Sequence, residues 1–207
     1  MAADDPARVE LFSDGVFAIA ITLLVLDLKV PRDLEPGRSL ASVLGSMWPT
    51  YLAFVTSFVT ILIMWISHRR MFMLIGRADD RLLFSNGLLL LGVTLVPFPT
   101  ALVAEYLRHP GQQTAAAVYN GTFLFIAICY NLVWRTAAVN DRLLNPDVSR
   151  LAVRRFFDAF RYGPLWYAIA FALAFVSVTA SLLLSLGLAG FFARPVVIED
   201  ANRIVGD

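Results

Sequence analysis

The feature that most constrains this chain is that its apolar residues come in runs of membrane-crossing length. Such runs occupy residues 11–28, 48–66, 82–106 and 114–134. A helix of about 17 to 25 apolar residues rises far enough, at roughly 1.5 Å per residue, to cross a hydrocarbon layer about 30 Å thick. A further apolar block, 162–193, is too long for one tilted span and just enough for two short ones. Dividing it near Ser177 to Thr179 gives helices over 163–177 and 180–194, the first opened by Gly163 and Pro164 and the second closed by Arg194 and Pro195. One long helix with a re-entrant tail is the alternative. Composition agrees with a bilayer as solvent, because 58% hydrophobic against 16% charged residues leaves too little polar side chain to cover a soluble globule. The alternating ten-residue strands of a membrane β-barrel are not seen. The expected fold is therefore an all-α integral membrane protein with six transmembrane helices in residues 1–195 and a short cytoplasmic tail, 196–207.

Several function classes are excluded early. A net charge of +1 gives no basic surface for nucleic acid, and neither a CxxC nor a glycine-rich phosphate loop is present. Cys129 is the single cysteine, which removes intramolecular disulfides and multi-cysteine metal sites. No cofactor and no bound metal are expected. The first residues lack the positive leader of a secretory signal, so the first helix is expected to stay in the mature protein.

Orientation follows from the positive-inside bias. Six spans put both termini on one side together with the loops holding Arg69, Arg70, Arg77 and Arg81, and Arg135, Arg142, Arg150, Arg154, Arg155 and Arg161. With Arg8, Arg194 and Arg203, that side carries 13 of the 17 basic residues, leaving Lys29, Arg32, Arg38 and Arg108 opposite. Both termini are thus expected in the cytoplasm.

Ionisable residues inside spans are costly enough to mark sites. Asp14 lies near the cytoplasmic end of the first helix. Trp65 and His68 in the second and Asn86 in the third reach the same depth. One reading joins Ser13 and Asp14 to Trp65, His68, Asn86 or Arg8 in a hydrogen-bonded network that locks the helices in register. Another leaves Asp14 at a helix N-terminus, wetted by headgroup water. A Ser13, Asp14 and His68 triad fits poorly, since adjacent residues on a helix point about 100° apart. On the same first helix, Ile19, Thr22, Leu23 and Leu26 fall within about 60° of one direction while Asp14 points about 140° away. Periodicity alone reads this stripe as lipid-facing or packed.

The string Arg8, Phe12, Ser13, Asp14, Gly15, Val16, Phe17, Ala18 and Ile19 resembles the opening of the transmembrane protein 175 family of potassium channels, whose prokaryotic members look like this chain from end to end. Trp65 to Arg69, Asn86 to Leu90 and Pro97 to Thr100 are supporting matches. The resemblance implies a potassium-preferring cation channel without the carbonyl filter loop of ordinary potassium channels, and no such loop motif occurs here. It implies a homotetramer of one-repeat subunits around a central pore lined by the first helices. Side chains at Ile19, Leu23 and Leu26 would form a hydrophobic constriction, and a threonine at Thr22 is linked to potassium preference. It also assigns the first-helix motif and its partners to a structural network. The expected partners are three further copies of the chain, membrane lipid and monovalent cations. The expected location is the plasma membrane of a prokaryote. A secondary transporter is the alternative, with Pro97 to Pro99 as its one candidate helix break. A membrane-embedded enzyme is the weaker one.

Overall fold

The computed structural model describes residues 5–31 and 37–192. Expectations that fall on Arg32, Arg194, Pro195, Arg203 and the tail 196–207 lie outside the described residues. In chain order the helices are α1 (Pro6–Leu23), α2 (Leu40–Ser46), α3 (Trp48–Met73), α4 (Asp80–Leu95), α5 (Pro97–Tyr106), α6 (Gln112–Ala138), α7 (Arg150–Phe160), α8 (Gly163–Leu173) and α9 (Val178–Phe192). No strand is formed among the described residues.

Helix starts coincide with capping chemistry in the sequence. Asp5 accepts the Ala7 amide ahead of Pro6, Asp79 accepts the Leu82 amide at α4, and Ser149 accepts the Ala152 amide at α7. Each satisfies a donor that the first helical turn leaves without a partner. Four helical stretches are long and apolar enough to cross a membrane: Pro6–Asp27, Trp48–Met73, Asp80–Tyr106 and Gln112–Ala138. The third is broken at Val96. Pro97 and Pro99 supply no amide to the carbonyls four residues before them, and the chain compensates locally: the Val96 amide bonds Val93 O at 3.2 Å and the Thr100 hydroxyl bonds Val96 O at 2.7 Å.

Several boundaries differ from the sequence-based ones. The first helix starts at Pro6 rather than near 11, and its last turn, Leu24–Asp27, is 3₁₀. The second runs about two turns past 66, because the polar residues Ser67 and His68 are buried there rather than released to water. Within the arginine-rich stretch 135–161, α6 continues to Ala138 and α7 is helical. Its Phe156 ring packs on Trp134 with centroids 4.7 Å apart.

α8 and α9, of 11 and 15 residues, are each short for a span, and they form a hairpin that runs beside α6 from Gln113 to Asn131. At one end of the hairpin Asn131 on α6 donates to Phe160 O, and Phe160 stacks on Phe192. At the other, Gln113 donates to Phe175 O between α8 and α9. Asn131 and Gln113 are eighteen positions apart on α6, roughly 27 Å at 1.5 Å per residue.

The two arginine-bearing loops lie on one side and are joined. Gly76 N bonds Leu143 O at 2.9 Å, Asn145 N bonds Leu74 O at 2.9 Å, and Arg142 pairs with Asp79 at 2.5 Å. Partial burial pushes the Asp79 carboxyl up, but the Leu82 amide and the Arg142 guanidinium outweigh it and hold the group below its ordinary value.

Candidate functional site

α1 has two unlike faces. Val9, Ser13, Phe17, Ala20 and Leu24, spaced three and four apart, are buried against α3 and α4. The opposite face is exposed among the described residues. There Ile19 is 58% exposed, Leu23 41% and Leu26 70%, with Thr22 and Phe12 also exposed. The 3₁₀ turn matters to this register. Residues three apart eclipse in such a turn, so Leu26 stands directly in line with Leu23. The Thr22 hydroxyl donates to Ile19 O at 2.9 Å. Its proton is thereby committed to the backbone, and its oxygen keeps lone-pair capacity for an outside partner.

On the buried side a polar chain runs from α1 to α3 and α4. Ser13 donates to Val9 O at 2.8 Å and accepts from Asn86 Nδ2 at 2.9 Å. Asn86 Oδ1 in turn lies 2.9 Å from His68 Nε2. Since that oxygen accepts, Nε2 carries the proton and the unpartnered Nδ1 is the bare nitrogen. The imidazole is clamped between Phe72, stacked with centroids at 4.4 Å, and Phe17 at 5.4 Å. One turn of α3 away, Trp65 Nε1 donates to Asp14 Oδ1 at 2.8 Å. The structure therefore brings Ser13, Asp14, Trp65, His68 and Asn86 together from three helices. Arg8 is exposed at the start of α1 and joins none of these bonds. Ser13 and Asp14 bond different partners, and Ser13 makes no bond to His68, so a catalytic relay is not assembled.

Two further polar knots were not anticipated from sequence. The Ser57 hydroxyl lies 2.7 Å from Thr100 Oγ1 and 3.3 Å from Tyr119 Oη, tying α3, α5 and α6. Asn120 donates to Ala116 O and to Ser181 Oγ and accepts from Ser185, while Ser181 donates to Ala170 O, tying α6, α8 and α9. The readable signal was Asn120 inside an apolar run together with serines four apart at 181 and 185.

No group of three or more histidine, cysteine, aspartate or glutamate side chains suited to a metal ion exists among the described residues. An all-helical bundle with four membrane-length apolar helices, held by buried polar bonds between them, defines a multi-pass membrane protein. A family profile described as "Endosomal/lysosomal potassium channel TMEM175" matches residues 8–97. The chain is 52% identical over 190 residues to a potassium channel of Chamaesiphon minutus, covering 91% of this chain and 94% of that one. It is 44% identical over 180 residues to a potassium channel of Streptomyces collinus, covering 86% and 87%. A crystal structure of a lysosomal potassium-selective channel TMEM175 homolog from Chamaesiphon minutus superposes with a TM-score of 0.84 at 50% identity, over 91% of this chain and 96% of that one. The chain belongs to the TMEM175 family, a family of channels and not of enzymes.

Proposed function

We propose that this chain is one subunit of a homotetrameric, potassium-preferring channel in a prokaryotic plasma membrane, and that α1 lines its pore. The observation that carries the reading is the unpartnered stripe of Ile19, Thr22, Leu23 and Leu26 on a helix whose other face is fastened by buried polar bonds. A helix held so firmly on one side and left bare on the other suits a central position among identical neighbours. Four copies converging on the stripe turn each side chain into a ring. The three aliphatic rings form a dewetting constriction, and Thr22 places its hydroxyl oxygens among them. An oxygen ring of weak field favours the ion that loses its water more cheaply, which is potassium rather than sodium.

Six spans with both termini in the cytoplasm fit this assembly. The depth of the α8–α9 hairpin against α6 supports counting that pair as the fifth and sixth spans, and the joined arginine-bearing loops support a single basic side. Asp14, Ser13, Trp65, His68 and Asn86 act in this reading as the fastening that sets α1's rotation, with Arg8 outside it. Purified protein reconstituted in planar bilayers under a potassium gradient tests the function. Discrete current steps reversing near the potassium equilibrium potential are expected. Flux without unitary steps would make the chain a transporter instead.

A further inference from the structure

At the end of the bundle opposite the arginine-bearing loops, two adjoining cavities differ in character. One is an apolar groove of about 310 Å³ between α3, α5 and α9, walled by Leu52, Val103, Leu182, Leu183 and Leu186. The other is a polar cradle of about 460 Å³ formed by residues 108–114, at the turn between α5 and α6. Gly111, with φ of 104°, makes that turn possible, since a side chain is strained in this left-handed region. Arg108 and Gln112 line both cavities. The Arg108 guanidinium sits over the Trp48 ring, 4.9 Å from its centroid, and makes no ion pair among the described residues. Glu105, one turn earlier, lines neither cavity.

An apolar slot that opens past a cation seated over an indole, with no ion pair among the described residues, into a polar bowl matches a molecule with an acyl chain at one end and an anion at the other. Its position at the ends of α3 and α5, where an aromatic and an arginine meet, is the depth of lipid headgroups. A slot of this volume is within the usual range of ligand pockets, about 300 to 1,000 Å³. We propose that this is a phospholipid site, with an acyl chain in the Leu52 and Leu186 groove and the phosphate on Arg108 in the 108–114 cradle. It requires that the chain span a membrane and does not depend on which residues line the pore.

Native mass spectrometry of the full chain in mild detergent, titrated with phosphatidylglycerol, phosphatidylethanolamine or diacylglycerol, tests it. Both phospholipids should be retained, the anionic one more tightly, and diacylglycerol should bind weakly. Arg108→Gln should weaken phospholipid binding about tenfold, as loss of a charge-assisted contact does, while Arg77→Gln on the opposite side leaves it unchanged. Leu52→Trp and Leu186→Trp, which fill the groove from exposed positions, should weaken binding without altering oligomer mass. Equal binding of diacylglycerol, or wild-type affinity in Arg108→Gln, would overturn the phosphate assignment. A changed oligomer mass in the tryptophan variants would give the groove to a second copy of this chain and overturn the lipid site altogether.

Discussion

Replacing Asn86 with alanine removes the middle of the buried chain that links Ser13 to His68. Two hydrogen bonds of 2.9 Å disappear, one to each neighbour. Interhelical bonds of this kind average only about 0.6 kcal/mol each in membrane proteins, because the unpacked helices find other partners. The bonds alone therefore account for roughly 1.2 kcal/mol. The larger consequence falls on His68, which is fully buried and whose Nδ1 already lacks a partner. Leaving its Nε2 proton unpaired as well adds about 1 kcal/mol or more. Ser13 loses less, since its hydroxyl still donates to Val9 O. A total of about 2 kcal/mol corresponds to a fall in melting temperature of roughly 4 to 8 °C for a chain of this size. Intrinsic tryptophan fluorescence during a thermal ramp in detergent reads this directly. Thr94→Val is the control on the same helix, for its hydroxyl is exposed and bonds only its own helix at Leu91 O. The double variant Ser13→Ala with Asn86→Ala should cost less than the sum of the two, as coupled neighbours do. The reasoning fails if Asn86→Ala melts as Thr94→Val does.

Other consequences are open to the same kind of measurement. Asp14→Ala strands the half-buried Trp65 indole N–H, and we expect lower oligomer yield and an altered Trp65 emission with ion preference retained; normal stability with changed preference would place Asp14 in the pore. Gly92→Ala sets a methyl 2.7 Å from Ile126 Cγ1 and 3.1 Å from the Phe125 ring, which should cost about 1 to 3 kcal/mol. Gly87→Ala, with open space around it, should be neutral or mildly stabilising by the same melting assay. Asp79 is held below its ordinary value when folded, so the stability it contributes is present above the usual carboxylate range and is lost as pH falls through its lower folded value. Protection factors at Gly76 and Asn145, corrected for the intrinsic slowing of amide exchange at low pH, should therefore fall on acidification, and Asp79→Asn should flatten that dependence.

The parts of this structure that could be read from sequence are those where a residue type is expensive in its surroundings. Asp14, Trp65, His68 and Asn86 stood out because polar groups in apolar runs need partners, and depth alone placed them together. The break at Val96 was legible from Pro97 and Pro99, which withhold two amides. Arg8 was one of several donors open to Ser13 and Asp14, and its side chain is exposed and joins none of the bonds described above. The knot of Asn120, Ser181 and Ser185 was hidden because serines in apolar helices can satisfy themselves on their own backbone, and nothing local says which ones reach across. Helix α7 was obscured by its arginines: Phe156, Phe157 and Phe160 lie on a helical period that a hydropathy scan averages away. The role of the Ile19 stripe has a different difficulty, since lipid-facing and pore-facing aliphatic residues obey the same periodicity. Only the assembly distinguishes them.

Reversal potential and unitary current under bi-ionic potassium and sodium, compared between stripe variants and variants of outward apolar residues elsewhere, distinguish them directly. Leu91 on α4 and Ile128 on α6 are exposed to a similar degree as Ile19 and serve as the comparison, at 52% and 51%. If α1 lines the pore, Ile19→Ala and Leu23→Ala raise unitary current or leak, and Thr22→Val moves the reversal potential toward zero, while Leu91→Ala and Ile128→Ala match wild type. Wild-type permeation in all three stripe variants, with altered permeation in either comparison variant, would contradict the account and move the pore to another face of the bundle.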